Sequence, residues 1–198
     1  MDFSEINQLP PPLQSAATYQ FLTKGQILFN RNEQAERIYA VKSGQIRLLH
    51  HTQTGQVIQH YVVQPGELCA EVILFLDRYT CCAIAETDTE VVAFPKSDFL
   101  NMLQQNPDFA LAFMRQVSYR LHMTKMTVEL RSIRSATERV LHYLQFITPP
   151  EQGTVTLEKP FKEIATELGM SSEALSRALN QLEEQGAIAR QKRRITLL

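Results

Sequence analysis

Residues 19 to 95 show short apolar runs, rich in β-branched and aromatic side chains, that alternate with turn residues. Such runs predict β-strands when Gly, Asn or Pro separates them. The predicted strands lie within residues 19–29, 38–41, 46–50, 57–63 and 90–94. The Thr54-Gly55 pair lies between two apolar runs and predicts a hairpin turn. Many short strands at this spacing favour a sandwich or a barrel.

The pattern becomes helical after Asn106-Pro107-Asp108. We expect Asp108 to cap a helix over residues 109–133, a segment that contains neither Pro nor Gly. Along this helix one set of side chains recurs at a spacing close to a heptad repeat: Phe113, Val117, Leu121, Thr124 and Val128. The alternative is burial on the chain's own barrel. Because a small barrel cannot cover so long a helix, we favour a seam with a second, parallel helix.

The last third of the chain predicts a second, mostly helical domain. An amphipathic helix over residues 136–147 ends at Pro149-Pro150, and a short strand is expected at 154–157. Two more helices and a terminal hairpin follow. The predicted fold class is therefore α+β, with domain boundaries that give residues 1–107, 108–134 and 135–198.

The two helices near the C-terminus have the spacing of a helix-turn-helix. Their buried faces are predicted at Phe161, Ile164, Ala165 and Leu168, and at Leu175, Ala178, Leu179 and Leu182. Between them, Gly169 suits the left-handed conformation that ends a helix. Ser171 or Ser172 suits the cap of the next helix. This pattern predicts an element that reads DNA.

The outward positions of the second helix carry side chains that can recognise bases. Glu173 and Arg177 are four residues apart and share a face. A carboxylate accepts from the cytosine amino group, and a guanidinium binds guanine O6 and N7. A plain surface ion pair is the alternative, and in this turn context we favour base readout. The predicted DNA-binding residues of this helix are Ser171, Ser172, Glu173, Ser176 and Arg177.

After Gly186, residues 187–190 and 194–198 predict a two-stranded wing. Positive charge is concentrated around its turn, at Arg190, Lys192, Arg193 and Arg194. The predicted DNA-binding residues among them are Arg190, Lys192 and Arg193. We expect these side chains to contact DNA phosphates, each contact making binding more dependent on salt. A solvated charged hairpin is the alternative.

Composition and charge exclude several classes of protein. The chain has 198 residues and a net charge of -1, so DNA binding requires a local basic patch. Residues 1–5 lack the features of a signal peptide and no apolar run could span a bilayer, so we expect a cytoplasmic protein without membrane contact. Three cysteines, two of them adjacent, are interpreted as core thiols, with a thiol switch at Cys81-Cys82 as the alternative. Neither an enzyme motif nor a metal-ligand spacing is found.

The order of these parts resembles the family of the cyclic-AMP receptor protein and the fumarate-nitrate reduction regulator, the CRP/FNR family, along nearly the whole chain. The resemblance rests on the Gly-punctuated barrel, on Gly66-Glu67-Leu68 and Glu71 in the ligand cassette, on the long helix and on the helix-turn-helix. It implies an effector-sensing, cyclic-nucleotide-binding-type β-barrel (jelly roll), a dimerisation helix and a C-terminal winged helix-turn-helix. It also implies a homodimeric transcription regulator that binds palindromic double-stranded DNA and contacts RNA polymerase.

Two details of the resemblance concern specificity. The pattern Glu173-x-x-Ser176-Arg177 is similar to that of the fumarate-nitrate regulator and implies a half-site closer to TTGA than to TGTGA. In the cassette, Glu71 and Thr80 match the family's ribose-contacting acid and hydroxyl residue, but Tyr79 falls where the phosphate-binding arginine belongs, and Arg78 is displaced by one residue. Because a buried phosphate would then lack its guanidinium, we do not expect cyclic AMP to be the effector. The effector-pocket candidates are Glu71, Arg78, Thr80, Arg120, Thr124 and Lys125.

Other effectors remain open. On the long helix, Thr124 matches a base-contacting threonine of the family, whereas Lys125 replaces the neighbouring serine. A small carboxylate such as 2-oxoglutarate could bind to basic side chains at Arg78, Arg120 and Lys125, haem could meet His122, or the cassette could be empty. An iron-sulfur cluster is not expected, because no cysteine precedes Cys69. No cofactor is thus identified, and the rival function is a cyclic-nucleotide-binding regulatory module that controls a partner protein.

Overall fold

The computed structural model describes residues 2–198. These residues form two compact units, Met1–Val117 and Ser118–Leu198, and each unit has its own apolar core. No helix in the described part of the chain is long and apolar enough to cross a membrane. The two units are described separately below.

The first unit is a β-barrel of the jelly-roll type, with helices before and after its strands. Within the described residues its strands are β1 (Thr18–Leu22), β2 (Ile27–Phe29), β3 (Arg37–Ser43), β4 (Ile46–His51), β5 (Val57–Val63), β6 (Leu68–Cys69), β7 (Cys82–Ala85) and β8 (Thr89–Pro95). They form two antiparallel sheets, with strand orders β1-β8-β3-β6 and β2-β7-β4-β5. Apolar side chains from both sheets pack into one core, as the alternation of apolar and polar residues in the strands predicts.

The strands agree with the apolar runs except where they are short. Strands predicted at residues 38–41, 46–50, 57–63 and 90–94 are confirmed as β3, β4, β5 and β8. The segment 19–29 contains two strands, because the turn at Gly25, with φ of +86°, separates β1 from β2. Strands β6 and β7 were not predicted: two and four residues are too few to show alternation. The hairpin at Thr54-Gly55 is confirmed by the antiparallel pairing of β4 with β5.

Helices pack against the core of the barrel. They are α1 (Pro11–Ala16), α2 (Lys96–Gln105) and the N-terminal part of α3 (Pro107–Ser132), preceded by a 3-10 helix at Ile6–Gln8. The Asn106 side-chain oxygen accepts from the Phe109 N–H at 2.9 Å, so Asn106 caps α3 and the prediction of Asp108 is wrong. With Pro107 as the first helical residue, Asp108 lies inside the first turn. There its carboxylate interacts favourably with the positive N-terminal end of the helix dipole but does not cap the helix.

One side of α3 remains uncovered. Phe113, which was predicted in the seam, packs instead on the barrel, with its ring 5.7 Å from that of Phe99. Its neighbour Met114 is 55% exposed. The exposed stripe of α3 comprises Met114, Val117, Leu121, Thr124 and Val128. Its spacings of 3, 4, 3 and 4 follow the heptad repeat more closely than the predicted set.

The second unit contains the C-terminal part of α3, three further helices and a small sheet. Their bounds are α4 (Ala136–Ile147), β9 (Thr154–Thr156), α5 (Phe161–Glu167), α6 (Ser172–Glu184), β10 (Ile188–Gln191) and β11 (Arg194–Leu197). The helix predicted at 136–147 and the strand at 154–157 are confirmed. The predicted hairpin of the wing is confirmed as the antiparallel pair β10 and β11. A third strand was not predicted: β9 also pairs antiparallel with β11 and gives the order β10-β11-β9. The sequence did not reveal this pairing, since some 40 residues separate its partners.

Candidate nucleic-acid interface

Helix α6 has an apolar side and a polar side. Each inner side chain is at most 2% exposed and packs in the core of the second unit: Leu175, Ala178, Leu179 and Leu182. This core also contains Ile164, Ala165 and Leu168 around the end of α5. Glu173 and Arg177 lie on the opposite side and are exposed. The packing therefore fixes the helix while leaving its polar residues accessible to a partner.

The turn between α5 and α6 has the predicted geometry. Gly169 has φ of +66°, in the left-handed region where a side chain is strained. The Ser171 hydroxyl accepts from the Ala174 N–H at 3.2 Å, so Ser171, not Ser172, caps α6. Helix α6 therefore begins at Ser172, and its first two turns carry Glu173, Ser176 and Arg177.

Glu173 and Arg177 are exposed and accessible to a partner. The N–H of Glu173 itself, then the Ser171 hydroxyl and Arg177, hold the pKa of the Glu173 carboxyl below its usual value. Glu173 is therefore an ionised acceptor at neutral pH. Among residues 2–198 Arg177 forms no hydrogen bond or ion pair, and in particular none with Glu173. This geometry favours readout over the alternative of a plain surface ion pair.

The basic residues of the wing differ in their surroundings. Arg190 donates to the Asn180 side chain at 2.7 Å and lies 3.5 Å from a carboxylate oxygen of Glu183. Arg193 donates through Nη2 to the carbonyls of Glu158, at 2.7 Å, and Lys159. These two arginines therefore connect the wing to α6 and to the segment before α5.

Lys192 is placed differently. It lies at the tip of the β10–β11 turn with φ of +57° and is exposed. Within the described chain its ammonium has no hydrogen-bond partner. Of the three predicted wing residues, Lys192 is therefore the one whose charge is fully accessible.

Two arginines that no sequence pattern indicated donate to the backbone at the end of α5, next to the turn that precedes α6. Arg131, near the end of α3, donates to the carbonyls of Thr166 and Glu167. Arg139, on α4, donates to the carbonyls of Ile133 and Leu168. Backbone carbonyls have no sequence signature, so only the folded chain could reveal these partners.

In the barrel, Tyr79 belongs to the core. Its ring stacks on that of Phe29 with centroids 3.9 Å apart and an angle of 11° between planes. Its hydroxyl donates to the Arg37 carbonyl at 2.9 Å and lies 3.5 Å from the Tyr39 hydroxyl. Burial raises the pKa of Tyr79, so it stays a neutral phenol. The residue at the position of the family's phosphate-binding arginine thus contributes to packing.

Arg78 lies on the outside of the barrel. Its guanidinium donates to the Asn32 carbonyl at 2.6 Å and is exposed, as is Thr80. Both line an open groove of about 440 Å³, together with Arg31, Asn32, Leu76, Asp77 and Tyr79. Arg78 is therefore exposed, whereas its neighbour Tyr79 is buried.

The other effector candidates are divided between the units. Glu71 begins a 3-10 helix, Glu71–Phe75, in the first unit. Arg120, Thr124 and Lys125 lie on α3 within the second unit, where the Thr124 hydroxyl donates to the Arg120 carbonyl at 2.9 Å. The ring of His122 lies 5.7 Å from that of Phe146.

Among the described residues, none of the three cysteines is in a disulfide. Cys69 is buried, and Cys81 and Cys82 are half-buried. Burial raises the pKa of Cys81, which lowers its fraction of reactive thiolate. Among the residues that the structure describes, no group of three His, Cys, Asp or Glu side chains could hold a metal ion.

Comparison with known proteins agrees with both units. The family model of the cyclic nucleotide-binding domain matches residues 19–106, and that of the Crp-like helix-turn-helix domain matches residues 138–198. The cyclic AMP receptor protein of Thermus thermophilus is 28% identical over 166 residues, which cover 83% of this chain and 76% of that protein. A global nitrogen regulator of Nostoc sp. is 24% identical over 184 residues, or 88% and 82% of the two chains.

Similarity extends to solved structures. The catabolite activator protein of Thermus thermophilus has a TM-score of 0.53 and 25% identity, covering 98% of this chain and 92% of that one. A cyclic nucleotide-binding-type barrel followed by a Crp-like helix-turn-helix defines a class of transcription regulators with a DNA-binding domain. The chain belongs to the CRP/FNR family of this class, which confirms the predicted family and fold.

Proposed function

We propose that the protein is a homodimeric transcription regulator whose two α6 helices read an inverted repeat of DNA. The observation that carries the proposal is the polar face of α6. Ionised Glu173 and unpaired Arg177 are exposed on it, while its apolar face is fully packed. A rigid helix with a free acceptor and a free bidentate donor suits the major groove.

Each polar residue has a proposed role. Arg177 binds guanine, Glu173 accepts from a cytosine amino group, and Ser176 contacts a neighbouring base edge. Because this set resembles the fumarate-nitrate regulator, the proposed half-site is closer to TTGA than to TGTGA. Phosphates are contacted by residues at the start of α6 and in the wing, namely Ser171, Ser172, Arg190, Lys192 and Arg193. Arg190 and Arg193 do so with the guanidinium N–H groups that have no intramolecular acceptor.

The exposed stripe of α3 supports the dimer. An apolar heptad stripe in contact with water is unfavourable, and a parallel second copy buries it along its length. A two-fold dimer presents two α6 helices to half-sites about one DNA turn apart. We propose that residues 1–107 sense an effector, 108–134 dimerise and 135–198 bind DNA. As a regulator of transcription, the dimer would also contact RNA polymerase.

We propose that the effector is not cyclic AMP. Tyr79 is held in the core by its stack on Phe29, and Arg78 is directed to the Asn32 carbonyl. A cyclic phosphate would therefore lack a guanidinium partner at the family's position. A small carboxylate bound near Arg78, Arg120 or Lys125, and haem near His122, are the other candidates. Native mass spectrometry and an absorbance spectrum of freshly purified protein would report any retained ligand.

A second candidate function is supported by the match of residues 19–106 to the cyclic nucleotide-binding domain. In that case the chain would bind a cyclic nucleotide and control a partner protein. Calorimetric titration with cyclic AMP and cyclic GMP separates the two functions. Binding of a cyclic nucleotide without any DNA binding would favour this second candidate.

Fluorescence anisotropy tests the proposed function. We expect binding to a labelled duplex with two inverted TTGA half-sites, and markedly weaker binding when one half-site is scrambled. The logarithm of the affinity should fall linearly with the logarithm of the salt concentration, because phosphate contacts release counterions. Equal affinity for the intact and the scrambled duplex would contradict sequence-specific reading.

A further inference from the structure

Two guanidinium groups meet at the C-terminal end of α5. Arg131 donates from Nε to the Glu167 carbonyl at 3.0 Å and from Nη2 to the Thr166 carbonyl at 3.1 Å. Arg139 donates from Nη1 to the Leu168 carbonyl at 2.9 Å. The last carbonyls of a helix lack partners in the next turn and carry its negative dipole end. Charged donors are therefore the strongest partners available to them.

The same two arginines come from the end of α3 and from the start of α4. Arg131 is in the last turn of α3, which ends at Ser132. Arg139 is on α4 and also donates from Nε and Nη2 to the Ile133 carbonyl, at 3.0 and 2.5 Å. Ile133 lies in the connection between α3 and α4. One side chain thus joins this connection directly to the turn that precedes α6.

The turn has little freedom to move away from these contacts. A Cβ atom on Gly169 would lie 3.5 Å from the Arg131 Nε, so the backbone passes against the guanidinium. On the other side, the Thr137 hydroxyl of α4 donates to the Gln181 side chain of α6 at 2.7 Å. Helix α6 is therefore connected to the α3–α4 segment both before its first residue and along its length.

We infer that Arg131 and Arg139, here called the arginine clamp, are positioning residues that set the direction of α6 relative to the end of α3. If the two copies pair through α3, this direction determines the separation of the two reading helices. The clamp therefore determines which spacing between half-sites the dimer accepts. This inference rests on the proposed function, because it needs a dimer that binds an inverted repeat.

Substitution by lysine is the sharpest test of the clamp. Lysine keeps the charge but has a single donor group, which cannot bond several carbonyls in the planar geometry of a guanidinium. The variants are Arg131→Lys and Arg139→Lys. The matched control is Arg134→Lys, in the same connection, where the exposed arginine forms no hydrogen bond with any residue of 2–198. Melting curves establish that each variant is folded.

The decisive measurement is affinity for duplexes that share half-sites but differ in spacer length by one base pair in either direction. We expect the unmodified protein and Arg134→Lys to prefer one spacer. Each clamp variant should reduce this preference by about fivefold or more, the effect of losing hydrogen bonds to a charged group. The salt slope should not change, since phosphate-contacting charges are retained. Loss of stability alone would weaken binding to all spacers equally.

A second measurement does not depend on DNA. Amide hydrogen exchange of residues 166–171 should accelerate in both clamp variants and not in Arg134→Lys, because the turn loses its fixed partners. Unchanged exchange, or an unchanged spacer preference in a folded clamp variant, would overturn the inference. If the unmodified protein bound no inverted repeat, the proposed function and the clamp's role in spacing would both be overturned. Amide hydrogen exchange would still decide whether the clamp holds the turn.

Discussion

The barrel cassette and helix α6 differ in the exposure of their candidate functional positions: one such position of the cassette is buried, whereas those of α6 are exposed. In the cassette, the position of the family's phosphate-binding arginine is occupied by Tyr79, which is 5% exposed and stacked on Phe29. On α6, Glu173 and Arg177 stay outside a fully packed apolar face. One region uses the family's functional position for stability, whereas the other keeps its polar side chains exposed to a partner.

This difference indicates which of the two regions can recognise a ligand through its polar side chains. A side chain that completes the core cannot bind a ligand without leaving a cavity, and a cavity costs stability. By contrast, the fold loses little stability when an exposed side chain on a packed helix binds DNA. The comparison therefore supports the proposal that α6 recognises specific bases, and it predicts that the barrel does not bind a cyclic phosphate in the family's manner.

The largest expected effect tests whether the barrel core requires the buried side chain at position 79. Tyr79→Arg would bury a guanidinium against Phe29 without a carboxylate partner, so we expect the free energy of unfolding to fall by about 3–5 kcal/mol. Urea denaturation measures this change. The matched control is Phe21→Arg at a position that is 64% exposed, where the change should stay within about 0.5 kcal/mol. A stable Tyr79→Arg protein that binds cyclic AMP would break the comparison.

The next effect tests whether DNA binding depends on a dimer contact along the exposed stripe of α3. Leu121→Lys places a charge in the exposed stripe of α3 and removes a side chain whose burial stabilises a pair by about 1.5–3 kcal/mol per copy. We expect dissociation to monomers in sedimentation velocity and loss of affinity for the inverted repeat. Tyr119→Lys, two residues away and off the stripe, should leave both unchanged. An intact Leu121→Lys dimer would move the dimer contact away from α3.

Removal of one base contact has a comparable or smaller effect. Arg177→Ala should weaken binding to the inverted repeat by about 1–3 kcal/mol per half-site and relax the preference for guanine at one position. Anisotropy with duplexes substituted at each position measures this. Glu184→Ala, an exposed carboxylate in the last turn of the same helix, is the control and should retain the preference. If Arg177→Ala kept the same base preference, readout by this residue would be excluded.

The smallest effect concerns reactivity in the barrel. Because burial raises the pKa of Cys81, a smaller fraction of this thiol is ionised at pH 8 than in an unfolded chain. Iodoacetamide should therefore modify Cys81 more slowly in the native protein than in concentrated urea, as followed by peptide mass spectrometry. The rate should rise with pH above the ordinary thiol range. Equal rates in both states would favour the thiol switch that was the alternative for Cys81-Cys82.

The parts that could be predicted depend on local periodicity. The face of α6 and the turn at Gly169 repeat with the helical period, so residues close in sequence define them. The exposed stripe of α3 agrees with the predicted set except at Phe113, because the period allows either Phe113 or Met114 at the first position and only the contact with the first unit's core decides between them. That the stripe is a dimer seam stays a prediction. The arginine clamp could not be predicted, since its acceptors are backbone atoms 29 to 36 residues away.

The sequence by itself determined the order of the parts, the helix-turn-helix and the absence of an arginine at position 79. These follow from residue types and from spacings within one element. Only the tertiary structure decided that Tyr79 is core, that Arg190 and Arg193 have intramolecular partners and that β9 completes the wing. The physical reason is that packing and long-range hydrogen bonds join residues distant along the chain, and their geometry exists only after the chain has folded.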